Sequence, residues 1–226
     1  MNFDILRKTP YENAFVTPTS PKTVDLLSQL RNKLTPTADF RAAARQLVGI
    51  EMDYASAFLE TEKNDIDTPL TRYPGQRLIE KKTYIFPILR AGLAMLEGAI
   101  EAFPWASVGV IGARRDEKTL EPEIYCHNPS RLSSDVTDIF VIDPMCATGG
   151  SAVHAISKIK ESRPDSNRPL TIRFISIIAA PEGLKTLAAA HPDVLSLTCA
   201  VDEGLNDRGF IVPGLGDFGD RYFGTL

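Results

Sequence analysis

The run IFVIDPMCATGGSAVHAISKIK, Ile139 to Lys160, places an acid and an anion nest close together. An apolar strand runs into Asp143, a loop of small residues follows, and an amphipathic helix starts near Gly150. Thr148, Gly149, Gly150 and Ser151 leave backbone N–H groups at the helix start, where the helix dipole and hydroxyl donors favour an anion. Glycines let a ligand approach the backbone closely. An ordinary tight strand-to-helix turn would use the same glycines. Asp143 adds what such a turn does not need: a carboxylate able to accept hydrogen bonds from a ribose diol while the nest holds its 5-phosphate. The spacing is neither GxxxxGK[ST] nor GxGxxG, so neither a P-loop NTPase nor a dinucleotide dehydrogenase fits.

Three further stretches carry candidate chemistry. Tyr84-Ile-Phe-Pro-Ile-Leu-Arg90-Ala-Gly92 ends a strand on a lone cation, suited to an anion or to plain exposure at the surface. Ile111-Gly-Ala-Arg114-Arg115-Asp-Glu-Lys118-Thr-Leu-Glu-Pro122 packs cations behind another strand, as a diphosphate would need or as a solvated mixed-charge face would. Asp202 to Asn206 and Gly209 to Asp220 are so glycine-dense that neither a regular helix nor a long strand is expected. Such a loop exposes backbone C=O and N–H groups that can read a base edge, or it is a structural Ω-type loop.

The elements that must position these residues follow from periodicity. Apolar runs at Thr83–Leu89, Ser107–Gly112, Thr137–Ile142, Leu170–Ile178 and Val194–Ala200 read as buried strands. Helical patterns at Gly92–Ala102, Gly150–Lys160 and Pro181–Ala190 alternate with them. That rhythm predicts an α/β fold with a mostly parallel sheet flanked by helices, joined by right-handed crossovers. Ligands of such sheets gather at the carboxyl ends of the strands, where Arg90 and Asp143 fall. Ser20 to Glu60 reads as helices, with Pro21 and Pro36 near two starts and Thr37 placed to cap a segment from Ala38. Ser162–Pro169 reads as a surface loop.

A chain of 226 residues, 43% hydrophobic, fits one large domain over residues 1–226. A net charge of −4 offers no basic footprint for nucleic acid. No apolar run is long enough for a membrane span or a signal peptide, so a soluble cytoplasmic protein is expected. Cys126, Cys146 and Cys199, with His127, His154 and His191, show no ligand spacing, so no protein-held metal is expected.

Asp143-Pro-Met-Cys-Ala-Thr-Gly-Gly-Ser151 resembles the phosphoribosyl-diphosphate loop of uracil phosphoribosyltransferases, a type I phosphoribosyltransferase family. Pro144, where many other phosphoribosyltransferases carry a second acid, is the uracil subfamily's pattern. PILRAG, ending at Gly92, is similar to the family's diphosphate loop. The 111–122 stretch is similar to Tyr-Arg-x-Glu-x-Thr-Leu-Glu-Pro, with Arg115 on the diphosphate-contacting position and Arg114 where the family has Tyr. Ala179-Ala-Pro-Glu-Gly183 and Ala190-His-Pro-Asp-Val194 also resemble the family, so the likeness spans Thr83 to Thr225, and the first sixty residues match less clearly.

The resemblance implies transfer of phosphoribosyl from 5-phosphoribosyl 1-diphosphate to uracil, giving UMP and pyrophosphate. It implies catalytic roles for Arg90, Arg115, Asp143 and Asp217. It places the sugar diphosphate on Arg90, Arg115, Asp143, Pro144, Met145, Cys146, Ala147, Thr148, Gly149, Gly150, Ser151 and Asp217, and uracil against Ile211, Gly216, Asp217 and Phe218. Asp217 is the candidate to orient or deprotonate the base. Mg²⁺ would arrive mainly through the diphosphate. The family pattern further implies a helical segment over about 20–60, a flexible β-arm over about 113–128 that closes over substrate, and a C-terminal hood over about 202–226. It implies a homodimer or homotetramer, with GTP as a candidate activator and no nucleic-acid or membrane partner. Two rivals remain at this point: a non-catalytic relative acting as a ligand sensor or RNA-binding regulator, and a transferase for another base such as xanthine or hypoxanthine.

Overall fold

The computed structural model describes residues 6–11, 13–80, 82–115 and 122–225, and for 114, 115, 122 and 123 the backbone alone. Strands β1 (Arg7–Lys8) and β2 (Ala14–Val16) precede helices α1 (Pro21–Arg31) and α2 (Thr37–Ala55). Then come β3 (Thr61–Asp67), β4 (Arg72–Leu78), β5 (Thr83–Leu89) and α3 (Leu93–Ala102). β6 (Ser107–Val108), β7 (Val110–Arg115), β8 (Pro122–Asn128), β9 (Asp138–Ile142) and β10 (Met145–Cys146) lead to α4 (Gly150–Ser162). The chain continues through β11 (Thr171–Ala179), α5 (Pro181–Ala190), β12 (Leu195–Val201), β13 (Gly204–Leu205), β14 (Ile211–Val212) and α6 (Phe218–Phe223).

The main sheet runs β1-β2-β12-β11-β9-β5-β7-β8, parallel from β2 to β7 and antiparallel at its two outer pairs. Its central strands are mostly apolar because both faces are covered, and the charged pair buried among them, Arg173 of β11 and Asp138 of β9, is bonded at 2.7 Å. Along β9, Phe140 and Ile142 face the core shared with α1, α2 and α3, whereas Ile139 and Val141 face the one shared with α4 and α5. Residue alternation in a strand therefore builds both cores from one segment. Glu51 of α2 is buried in the first core and accepts hydrogen bonds from the Thr17 hydroxyl and the Cys199 thiol.

The predicted strands and helices of the α/β part stand within a few residues of their expected places, with 107–112 divided into β6 and β7. Three expectations are corrected. Thr37 is the first residue of α2 rather than its cap; Pro36 holds the cap position and makes no side-chain bond there. The glycine-dense 209–220 stretch is not wholly irregular, because Asp217 caps a short helix by accepting from the Asp220 amide. The β3–β4 hairpin was not expected at all: its fourteen residues form a separate two-stranded sheet with hardly any burial. No helix among the described residues is long and apolar enough to cross a membrane.

Candidate active site

A cavity of about 340 Å³ opens at the carboxyl edge of the parallel sheet. β5 and β9 are parallel neighbours, in register at Pro87 and Ile142, so the residues just beyond them, Arg90 and Asp143, leave the sheet at the same edge and both line the cavity. Met145 and Ala147 add the phosphate-loop wall, and Gly216, Asp217, Phe218 and Gly219 close the opposite side.

The loop behind β9 is fixed by backbone bonds to β11. The Asp143 amide donates to the Ile175 carbonyl (3.1 Å), the Pro144 carbonyl accepts from the amides of Ile177 (3.0 Å) and Ile178 (3.1 Å), and the Cys146 carbonyl accepts from that of Ala180 (2.9 Å). With the loop pinned there, Gly149 turns the chain into α4 at φ +81°, a conformation that glycine adopts without strain. The first-turn amides of α4 have no intrahelical acceptor by helix geometry, and that of Gly150 donates to the Thr148 hydroxyl at 3.4 Å.

Asp143 is half-buried, and burial pushes its carboxyl up to about 7, opposed by the bond from the Met145 amide. That places the group near its midpoint at neutral pH, and a nearby cation would favour the carboxylate. Burial, reinforced by the Asp143 charge, pushes the Cys146 thiol up to about 12. That thiol packs in the α4–α5 core, so Cys146, like the buried Pro144, can serve a ligand only through its backbone.

Arg90 is exposed over 58% of its side chain; its Nη2 donates to Asp220 Oδ1 at 3.3 Å and its guanidinium lies 5.6 Å from the Phe223 ring centre. Asp217 is exposed, with Oδ1 accepting from the Asp220 amide at 2.9 Å. The Phe218 ring turns away into the core, edge-on to Phe40 at 5.1 Å and stacked with Tyr222 at 5.8 Å, so this residue offers the cavity its backbone. Ile211 is buried in the same core and does not line the cavity. Thr148, Gly149, Gly150 and Ser151 lie at the α4 start and are not among the lining residues, although Thr148 Cγ2 would lie 3.9 Å from a β-carbon on Gly209, which does line the cavity.

Arg115 ends β7, paired with Pro122 across the hairpin; its side chain, and Lys118 within the arm, lie outside the described residues. Sequence reasoning did not single out Phe210, which is 44% exposed and lines the cavity mouth with Gly209. A lone aromatic among glycines was the available signal. The turn that carries it is tied by Asn206, whose Oδ1 accepts from the amides of Arg208 and Phe210, both at 3.0 Å.

The hood is fastened from two sides. Glu182 of α5 accepts from the Leu205 amide at 3.2 Å. Asp202 accepts from both terminal nitrogens of Arg31, at 2.8 and 2.5 Å, and from the Gly214 amide at 2.9 Å. Such an arrangement joins the start of α4, the Asp143 carboxylate, the Arg90 guanidinium held by Asp220 and the Gly216–Gly219 segment around one small cavity. It can hold a phosphorylated sugar and a flat base edge-on, and its described lining residues include no Ser, Thr, Cys or Lys.

The chain is similar to known proteins over most of its length. The family model for uracil phosphoribosyltransferase matches residues 17–225. The uracil phosphoribosyltransferase of Streptococcus mutans is 47% identical over 201 residues, covering 88% of this chain and 92% of that one. That of Malacoplasma penetrans is 44% identical over 206 residues, covering 91% and 96%. Among solved structures, a protein of Aquifex aeolicus superposes with a TM-score of 0.77 at 33% identity over 92% of this chain and 97% of its own. The adenine phosphoribosyl transferase of Trypanosoma brucei, at 12% identity, shares the fold with a TM-score of 0.59 over 90% of each chain.

Proposed function

This chain belongs to the uracil phosphoribosyltransferase family, and from that premise we infer that it displaces pyrophosphate from C1 of 5-phosphoribosyl 1-diphosphate with N1 of uracil, forming UMP. The observation that carries the reading is the single cavity shared by Arg90, Asp143 and the Gly216–Phe218 backbone beside the α4 nest.

In this reading, Ala147 to Ser151 hold the 5-phosphate through backbone amides and hydroxyls, and Asp143 accepts hydrogen bonds from the ribose hydroxyls. Arg90 and Arg115 stabilise the negative charge that grows on the departing diphosphate while positive character grows on the sugar. Interactions that strengthen as charge develops lower the barrier, whereas those equal in ground and transition states do not. The substrate is taken as its magnesium complex. Asp143, its carboxyl raised to about 7 by burial, is the acid suited to face that complex, because a cation beside it favours the carboxylate. Gly216, Asp217 and Phe218 read the base edge through backbone groups, and the Asp217 carboxylate stands near the base with one oxygen already occupied by its capping bond. Assembly as a homodimer or homotetramer, a response to GTP and a cytoplasmic location belong to the same proposal, carried over from the family pattern.

Incubation with phosphoribosyl diphosphate, Mg²⁺ and each of uracil, cytosine, hypoxanthine and xanthine tests it, with nucleotide and pyrophosphate both quantified and Arg115→Ala as control. Uracil-dependent UMP that falls in the variant is expected. Turnover of another base alone would overturn the hood assignment, and binding without turnover would restore the sensor.

A further inference from the structure

We propose that Asp220 is a positioning residue for Arg90 and thereby sets the affinity of the site for the sugar diphosphate, an inference that rests on the reaction given above. An unattached arginine loses rotamer freedom when it meets an anion. Here much of that ordering is already present: Asp220 Oδ1 accepts from Arg90 Nη2 at 3.3 Å, and the Phe223 ring lies 5.6 Å from the guanidinium. A guanidinium carries five donors and this contact uses one, so an arginine that also lines the cavity can meet a diphosphate without leaving Asp220.

The carboxylate is itself held. Asp220 Oδ1 accepts from the Thr225 hydroxyl at 2.7 Å, its amide donates to Asp217 Oδ1, and its carbonyl accepts from the amides of Gly224 (2.8 Å) and Thr225 (3.1 Å). Behind it, α6 is clamped to the helical layer. Arg41 Nε donates to the Tyr222 carbonyl at 2.6 Å, and Arg221 donates to the Leu215 and Asn32 carbonyls, both at 2.6 Å, with its guanidinium 4.4 Å from the Phe40 ring centre. One rigid shelf therefore carries both the base-side Asp217 and the support of the diphosphate-side Arg90.

The sign of the effect separates positioning from simple charge. A carboxylate beside an anion site repels the anion through space, so if Asp220 were only a neighbouring charge, removing it would tighten binding. Removing a positioning group loosens it.

Titration calorimetry with the magnesium complex of phosphoribosyl diphosphate reads this out on the full chain, in wild type, Asp220→Ala, Asp220→Asn, Arg90→Ala and the Arg90→Ala/Asp220→Ala pair. Asp220→Ala should weaken binding about three- to fivefold, the scale of a partly exposed ion pair. Asp220→Asn, whose amide oxygen still accepts from Arg90, should recover part of the loss. In the Arg90→Ala background Asp220→Ala should add nothing, either to the loss of affinity or to the loss of kcat. Unchanged or tighter binding in Asp220→Ala overturns the proposal, as does an equal loss with and without Arg90, which would mark Asp220 as a mere support of α6. A wild type that binds the complex but ignores uracil defeats the reaction reading while the same titrations still decide Asp220; a wild type that does not bind defeats both.

Discussion

Gly149 and Gly183 interlock across the phosphate loop: a β-carbon on Gly149 would lie 2.6 Å from the Gly183 carbonyl oxygen, and one on Gly183 would lie 2.5 Å from that of Ala147. The start of α5 thus braces the loop that turns into α4. Gly183 sits inside the first turn of α5, where alanine ordinarily stabilises a helix by about 1 kcal/mol. Here the sign reverses, because the obstacles are backbone oxygens of Ala147 and Cys146 that cannot swing away. Gly183→Ala should cost about 1–3 kcal/mol, the usual penalty of overpacking. It should also raise KM for the sugar diphosphate while leaving KM for the base nearly unchanged. Thermal melts and steady-state kinetics check both; a stabilised, fully active variant would show that the loop does not depend on this contact.

Asp143 makes the site costly to the fold at high pH. Its folded-state carboxyl is raised to about 7 from an ordinary value of 3.8, so the native state holds a proton that the unfolded chain releases. Stability from this group is complete below about pH 4, declines as pH rises towards 7, and stays low above that. Asp143→Asn, neutral throughout, should match wild type near pH 4 and melt at a higher temperature at pH 8. Glu51, raised to about 8 by burial, produces a decline over a similar window and remains in both proteins, so the comparison isolates Asp143. UMP formation by the variant should fall by about tenfold or more, since it loses a charged acceptor for the ribose hydroxyls. Equal melting temperatures at pH 8 would contradict the burial argument.

Arg90 and Arg115 should fail in the same manner. Removal of one preorganised group facing developing charge costs about 10²–10³ in rate. Alanine at either position should therefore lower kcat with the sugar diphosphate and weaken inhibition by pyrophosphate, with KM for uracil little changed. Steady-state kinetics with pyrophosphate as product inhibitor separates this from a general loss of folding. A variant with normal kcat and only a raised KM would assign its arginine to ground-state binding.

What was legible in the sequence depended on burial. β5 and α5 were readable to the residue, because buried strands and helices must carry apolar residues at their own period. The β3–β4 hairpin was not. Thr61–Asp67 and Arg72–Leu78 are polar and almost wholly exposed, so neither face leaves an apolar alternation, and Pro74 argues against a strand. The placement of Arg90 and Asp143 at one edge of the sheet was legible from strand ends, and that of Thr148–Ser151 from a helix start. Side-chain direction was not: Cys146, Ile211 and the Phe218 ring point into the cores, since a motif fixes residue types but the packing around Phe40 and α4 decides which atoms face the cavity.

Arg31 and Asp202 couple the amino-terminal helix to the hood, and this pair should govern the base more than the sugar. Asp202 is nearly buried, at 4% side-chain exposure, and it holds the Gly214 amide in place; Arg31, at 25%, bonds the Gly214 carbonyl as well. Breaking a buried pair by removing one partner costs about 3–5 kcal/mol, and the partial exposure of Arg31 discounts that to about 1–3 kcal/mol. Arg31→Ala should lower the melting temperature accordingly. Because Gly214 precedes the Gly216–Phe218 slot by so little chain, the freed loop should raise KM for uracil severalfold. The 143–151 loop is fastened to β11 and α5 instead, whereas Arg90 is held by Asp220 of α6, whose clamp at Asn32 and Leu215 adjoins Arg31 and Gly214, so affinity for the sugar diphosphate should fall less than that for uracil. Parallel loss of affinity for both substrates would place the Arg31 contact in the general stability of the fold instead of in the hood.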